Sequence, residues 1–287
     1  MTDTSTAPGP ITAQLPDRVG VYGGGRMGAG IAHAFAVAGA VVTVIEADED
    51  AAAAARNRLA THRARAAERS GQPPAGTVTV ITDPAGLADC DLVIEAVPED
   101  AAGKRTVLAT IAERAPAAMI ASNTSSLSID ALARALPDPS RLFGMHFFNP
   151  VPVSALVELV VGPRTASELV DRARNCVAGL GKTAIVVTDS PGFASSRLGV
   201  ALALEAIRML EAGVACVEDI DTAMTLGYRH PVGPLRTTDI VGLDVRLAIA
   251  EQLERELGPR FTPPRLLRDK VAAGELGRKT GQGFYAW

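Results

Sequence analysis

Histidine is the side chain best suited to proton transfer near neutral pH, and the chain carries four. His146 stands in GMHFFNP, at the end of an apolar run, where a strand would deliver it to a sheet edge. The others have weaker settings and read as structural or solvated. His33 lies along an Ala-rich helix, His62 lies in an Arg-rich one, and His230 precedes a proline. Glu158, inside LVELV, is a carboxylate within an apolar strand, and such a group is seldom buried without a partner. A third polar feature, SNTSS (Ser122 to Ser126), again closes an apolar run. These residue types suit oxidation of an alcohol. An imidazole takes the hydroxyl proton as hydride leaves carbon, a carboxylate on its far nitrogen fixes the tautomer, and a serine holds the substrate oxygen. By pattern alone His146 also fits a core histidine, and the serines also fit a helix cap.

Hydride needs an acceptor. Gly23-Gly24-Gly25-Arg26-Met27-Gly28 fits G-x-G-x-x-G at the junction of a strand and a helix. In that pattern the first glycine permits the tight turn and the second lets the backbone approach a pyrophosphate. The third allows close helix–strand packing, and helix-terminal N–H groups face the phosphates. Glu46, at the end of the following strand, can accept bonds from a ribose diol and would repel a 2′-phosphate. NAD is therefore expected rather than NADP.

The elements that must position these residues follow from periodicity. RVGVYGGG (Arg18 to Gly25) reads as a buried parallel strand, RMGAGIAHAFAVAGA as a helix and VVTVIEA (Val41 to Ala47) as a second strand. A long Ala/Arg helix spans Asp50 to Ser70. TVTVIT, CDLVIEAVP and MIASNTS supply strands, with a helix from Lys104 to Arg114 between the last two. RLFGMHFFNP, LVELVVG and TAIVVTD complete the sheet, with a helix from Ser167 to Gly179. The class is α/β: a Rossmann-type doubly wound sheet over residues 17–188, behind a disordered tail over 1–16. From 189 to 287 the periodicity is helical throughout, which predicts an all-helical C-terminal domain whose long apolar helices could pack on a second copy.

Composition excludes several classes. Hydrophobic residues are 47% and charged residues 21% of the chain, as in a soluble enzyme, and a net charge of -4 argues against nucleic acid as partner. Cys90, Cys176 and Cys216 show no metal-ligand or redox spacing and read as buried reduced thiols, with no metal expected. The N-terminus lacks the features of a signal peptide and no segment has the length of a membrane span, so a cytoplasmic protein is expected.

The chain resembles the 3-hydroxyacyl-CoA dehydrogenase family in a collinear set of motifs. These are GGGRMGAGIA, EAVPED, ASNTSSLSI, HFFNPVPV, DSPGF, GPLRTTDIVGLD and GRKTGQGFY. The resemblance implies a Rossmann-type domain with a helical dimerisation domain, a homodimer, and NAD-dependent interconversion of 3-hydroxyacyl and 3-oxoacyl thioesters. It also implies roles for individual residues: His146 as acid/base, Glu158 as its carboxylate partner, and Ser125 near the substrate hydroxyl. Glu99, Lys104 and Lys279 would line the cofactor.

Two departures bear on the substrate. After DSPGF the family usually carries Asn-Arg, its Asn helping to hold the substrate near the base. Here Ser196 replaces that amide, which leaves a wider pocket, one filled by a further polar group on the substrate, or one filled by water. The helical arm that contacts CoA in the family is here compact, with Arg56, Arg58, Arg63, Arg65 and Arg69 against only Glu68. That face is either simply solvated, or grips CoA phosphates, or docks an acidic acyl carrier protein. The alternatives to a CoA substrate are thus a small hydroxyacyl group on a carrier protein, as in polyketide extender-unit biosynthesis, and a free hydroxy acid or sugar acid. A non-catalytic NAD-binding role is disfavoured by the presence of Ser125, His146 and Glu158 together.

Overall fold

The computed structural model describes residues 11–70 and 74–287. The chain divides into two compact units, one ending at Asp189 and the other spanning Ser190–Trp287.

The first unit alternates strands and helices. In order they are β1 (Arg18–Tyr22), α1 (Arg26–Ala38), β2 (Val41–Ile45), α2 (Glu49–Ser70), β3 (Thr77–Ile81), β4 (Leu92–Glu95) and α3 (Ala101–Arg114). There follow β5 (Met119–Ser122), α4 (Ile129–Ala133), β6 (Leu142–Phe147), β7 (Leu156–Val161), α5 (Ser167–Gly179) and β8 (Thr183–Thr188). The eight strands form one sheet in the order β3-β2-β1-β4-β5-β6-β7-β8. Pairing is parallel from β3 through β6, whereas β7 runs antiparallel to β6 and β8 parallel to β7. The central strands are buried along their whole length, and so read as continuous apolar runs rather than alternating ones.

Helix starts are set by short polar side chains. Asp100 accepts from the Gly103 N–H at 2.6 Å and begins α3 earlier than the Lys104 start read from the apolar pattern. Ser128 caps the short α4, which periodicity alone did not suggest because five residues carry too little of a repeat.

Two expectations need correction. Residues 11–16 were assigned to a disordered tail, yet they lie along α5. The N–H groups of Thr12 and Gln14 donate to the side-chain and backbone oxygens of Asn175, and Leu15 packs against the core. Residues 1–10 of that tail fall outside the described residues. Cys216 is exposed rather than buried. Cys90 and Cys176 are buried, and that burial pushes their thiols up to about 11 and about 12.

The second unit holds α6 (Ser195–Glu211), α7 (Val217–Gly227), α8 (Pro234–Val241), α9 (Leu243–Leu257) and α10 (Arg265–Ala272) around its own apolar core. Two buried aspartates tie its C-terminal segment down. Asp239 accepts from the backbone N–H groups of Phe284 and Tyr285 and from the Trp287 indole, while Asp221 accepts from the Tyr285 hydroxyl. Among the described residues no helix is long and apolar enough to cross a membrane.

Candidate active site

Because β1, β4, β5 and β6 are parallel neighbours, their C-terminal ends share one edge of the sheet. That edge gathers the glycine loop after β1, residues 95–99 after β4, residues 123–126 after β5, and His146.

The glycine loop has the shape a dinucleotide phosphate requires. Gly23 sits at φ +94°, a conformation that side chains other than glycine rarely adopt. A Cβ on Gly28 would lie 1.7 Å from the Gly23 carbonyl oxygen, so only glycine lets α1 pack this close to the strand. Above Gly25 the space is open, and α1 begins there without a side-chain cap, leaving its first N–H groups for an anion. Arg26 is exposed and Met27 packs against the core. Glu46 reaches the loop directly, its Oε1 accepting from the Gly24 N–H at 2.7 Å.

His146 and Glu158 meet by register. In the antiparallel β6–β7 pair they stand directly opposite one another, and Nδ1 of His146 lies 3.0 Å from Oε2 of Glu158. Glu158 is fully buried and His146 nearly so, with the Phe148 ring 4.5 Å away. Opposite a carboxylate, Nδ1 carries the proton and donates it. Nε2 is then the basic nitrogen.

A second charged cluster lies beneath the serine loop. Glu95, the last residue of β4, is paired in register with Ser122, the last of β5. Its carboxylate accepts from Ser122 Oγ at 2.5 Å, Lys104 Nζ at 2.6 Å and the Val97 N–H at 2.8 Å. Lys104 also donates to the Val97 carbonyl at 3.1 Å and lies 3.3 Å from Glu99, so this buried amine reaches the site through Glu99. Glu99 in turn accepts from Thr124 Oγ1 at 2.6 Å, from the N–H groups of Ser125 and Ser126, and from both serine hydroxyls. Burial alone would raise the Glu99 pKa. The Thr124 bond, the Lys104 charge and the serine donors outweigh it and hold Glu99 below the ordinary glutamate value.

The comparisons agree with this geometry. Residues 18–190 match the model of the 3-hydroxyacyl-CoA dehydrogenase NAD-binding domain, and residues 192–287 match that family's C-terminal domain. The chain belongs to the 3-hydroxyacyl-CoA dehydrogenase family. A relative named 3-hydroxybutyryl-CoA dehydrogenase from Mycobacterium tuberculosis is 45% identical, covering 94% of this chain and 98% of that protein. Among solved structures, FadB2 of M. tuberculosis superposes with a TM-score of 0.87 at 43% identity, over 96% of this chain and 100% of that one. The (S)-3-hydroxybutyryl-CoA dehydrogenase PaaH1 of Ralstonia eutropha gives 0.89 at 38% identity, covering 95% and 99%.

Within this family member, the residue that pattern reading passed over is Glu95. The argument that singled out Glu158, a carboxylate in an apolar strand, applies equally to LVIE, but Glu95 sits at the strand end, where a polar residue looks like the start of a loop. His33 is buried and its ring stacks on His62 with centroids 5.5 Å apart, so two histidines from different helices form one packing contact. In the second unit Lys279 is held by both carboxylate oxygens of Asp244 at 2.6 Å, and Ser196 lies in the first turn of α6. On α2, Arg56 donates to the Val80 carbonyl and Arg58 to that of Gly24. The Arg69 side chain lies outside the described residues.

Proposed function

We propose that this family member interconverts a 3-hydroxyacyl-CoA and its 3-oxoacyl form, with His146 as acid/base. The observation that carries this reading is the buried 3.0 Å contact between His146 and Glu158. Bound along the glycine loop, NAD supplies the hydride acceptor or donor. In the oxidative direction Nε2 of His146 takes the hydroxyl proton, and Glu158 stabilises the imidazolium that forms. Ser125, on the loop held by Glu99, positions the substrate oxygen. Glu46 holds the adenosine ribose once it leaves the Gly24 N–H. Ser196 borders the acyl group and Lys279 serves the cofactor, both on the strength of the family resemblance. The assay is NADH absorbance with acetoacetyl-CoA. His146→Gln should lower kcat by about a hundred- to ten-thousandfold with NADH binding intact. Full activity in that variant would remove His146 from the role.

One observation supports a second substrate form. Arg56 and Arg63 flank a groove of about 600 Å³ between α2 and β3, and a cationic edge of this kind suits an acidic acyl carrier protein. Equal turnover of one hydroxyacyl group on CoA and on carrier protein, unaffected by Arg63→Glu, would discard it. We also propose a homodimer in the cytoplasm. Leu198 and Leu202 on α6 are 64% and 43% exposed, an apolar strip that a second copy would cover. A monomeric mass by light scattering would refute the dimer.

A further inference from the structure

Arg246, on α9, is a buried cation without an acid. It is 8% exposed, its Nε has no hydrogen-bond partner, and burial lowers its pKa with no carboxylate to offset the effect. The acids of its unit are already engaged. Asp221 and Asp239 accept from backbone N–H groups and aromatic side chains, Asp244 is held by Lys279, and Glu251 by Arg268. Leaving a charge buried and unpaired is strongly unfavourable, so such an arginine calls for an anion from outside the unit.

Its location indicates which anion. The guanidinium lies against Gly199 of α6, where a Cβ would come within 3.2 Å of Nη1 and 3.7 Å of Nη2. Gly199 is one helical turn beyond Ser196, and residues three apart share a helix face. The arginine thus lies beside the position where this chain has a short hydroxyl in place of the family's amide. A neutral carbonyl would not neutralise the guanidinium, whereas a carboxylate would pair with it, in bidentate fashion where geometry allows.

We propose that Arg246 is a specificity-determining residue for an acyl group that ends in a carboxylate, so that the preferred substrate is the thioester of a 3-hydroxydicarboxylic acid. This rests on the dehydrogenase reading above and on Ser196 bordering the acyl group. The chemistry is unchanged: hydride passes from C3 to NAD and the hydroxyl proton to His146, while the distal carboxylate takes no part in bond making.

The test compares two thioesters of equal chain length, 3-hydroxyglutaryl-CoA and 3-hydroxyvaleryl-CoA, with 3-hydroxybutyryl-CoA as reference. The ratio of kcat/KM for the first two should favour the glutaryl compound roughly ten- to a hundredfold, the range of a charge-assisted hydrogen bond, and most of the difference should lie in KM. Arg246→Gln should bring the ratio close to one, and Arg246→Lys should restore part of it. No glutaryl preference in the unaltered protein overturns the proposal whether or not the variants fold. So does a preference that survives Arg246→Gln, or conversion of a dimer to monomers by that change with the ratio unaltered, which would assign the guanidinium to a partner copy. If 3-hydroxybutyryl-CoA is turned over and the preference is missing, only the Arg246 assignment fails. If none of the three is oxidised, the dehydrogenase reading itself falls.

Discussion

Two buried glutamates of one sheet, Glu158 and Glu95, each face a nitrogen base, and the difference between the bases separates chemistry from scaffolding. Glu158 faces an imidazole, whose charge changes within the physiological range, so the pair can pass through two protonation states during a reaction. Glu95 faces the Lys104 amine, 2.6 Å away and sealed from water, together with a serine hydroxyl and a backbone N–H. With its acceptor sites filled and its partner a permanent cation, that cluster has no proton to exchange. It holds Glu99, and Glu99 holds the serine loop. A buried carboxylate in this fold is therefore catalytic or structural according to the partner that the neighbouring element supplies.

The largest way to sharpen this contrast is at Glu158. Glu158→Gln preserves shape but removes the charge that stabilises imidazolium and orients the ring. Steady-state kinetics should show kcat lowered by about a hundred- to ten-thousandfold. Urea unfolding should show a much smaller loss. A near-normal kcat would place Glu158 in the same structural class as Glu95.

Lys104→Met should behave in the opposite way. It leaves Glu95 buried without its cation, and stability should fall by about 3–5 kcal/mol in urea titrations. The double change Lys104→Met with Glu95→Gln should recover part of that loss, because the uncompensated charge is gone. If the single change is silent, the cluster does not carry the loop.

The smallest effect is a pH dependence at Glu99. Its pKa in the folded protein is depressed below the ordinary value of 4.5, so the folded state favours the carboxylate. The stabilisation is fully present above that value and is lost as pH falls through the folded pKa. The stability difference between the natural chain and Glu99→Gln should thus stay flat between roughly pH 6 and 7 and shrink below about 4.5. A difference that grows on acidification would contradict the assignment.

Much of the molecule is legible along the chain because it depends on neighbours in sequence. The strand–glycine–helix start needs only a turn that Gly23 can make and a packing distance that Gly28 allows. Buried parallel strands read as apolar runs, and helices as longer periodic ones. His146 and Glu158 could each be singled out as unusual residues in apolar surroundings, but nothing local pairs them. Their contact depends on β7 reversing direction against β6, and a shift of one residue would turn Glu158 to the other face of the sheet. Glu95 and Lys104 belong to the same category, since their partnership comes from α3 folding back over the end of β4.

The sequence by itself determined the α/β plan, the dinucleotide loop and the types of side chain that could do acid–base chemistry, because turns, caps and apolar periodicity are local properties. Only the tertiary structure decided which carboxylate meets the imidazole, which one is closed into an ion pair, and that Arg246 is buried with no acid beside it. Burial and charge pairing are relations between residues far apart in the chain. The energy of a buried charge depends on those relations and not on its own segment.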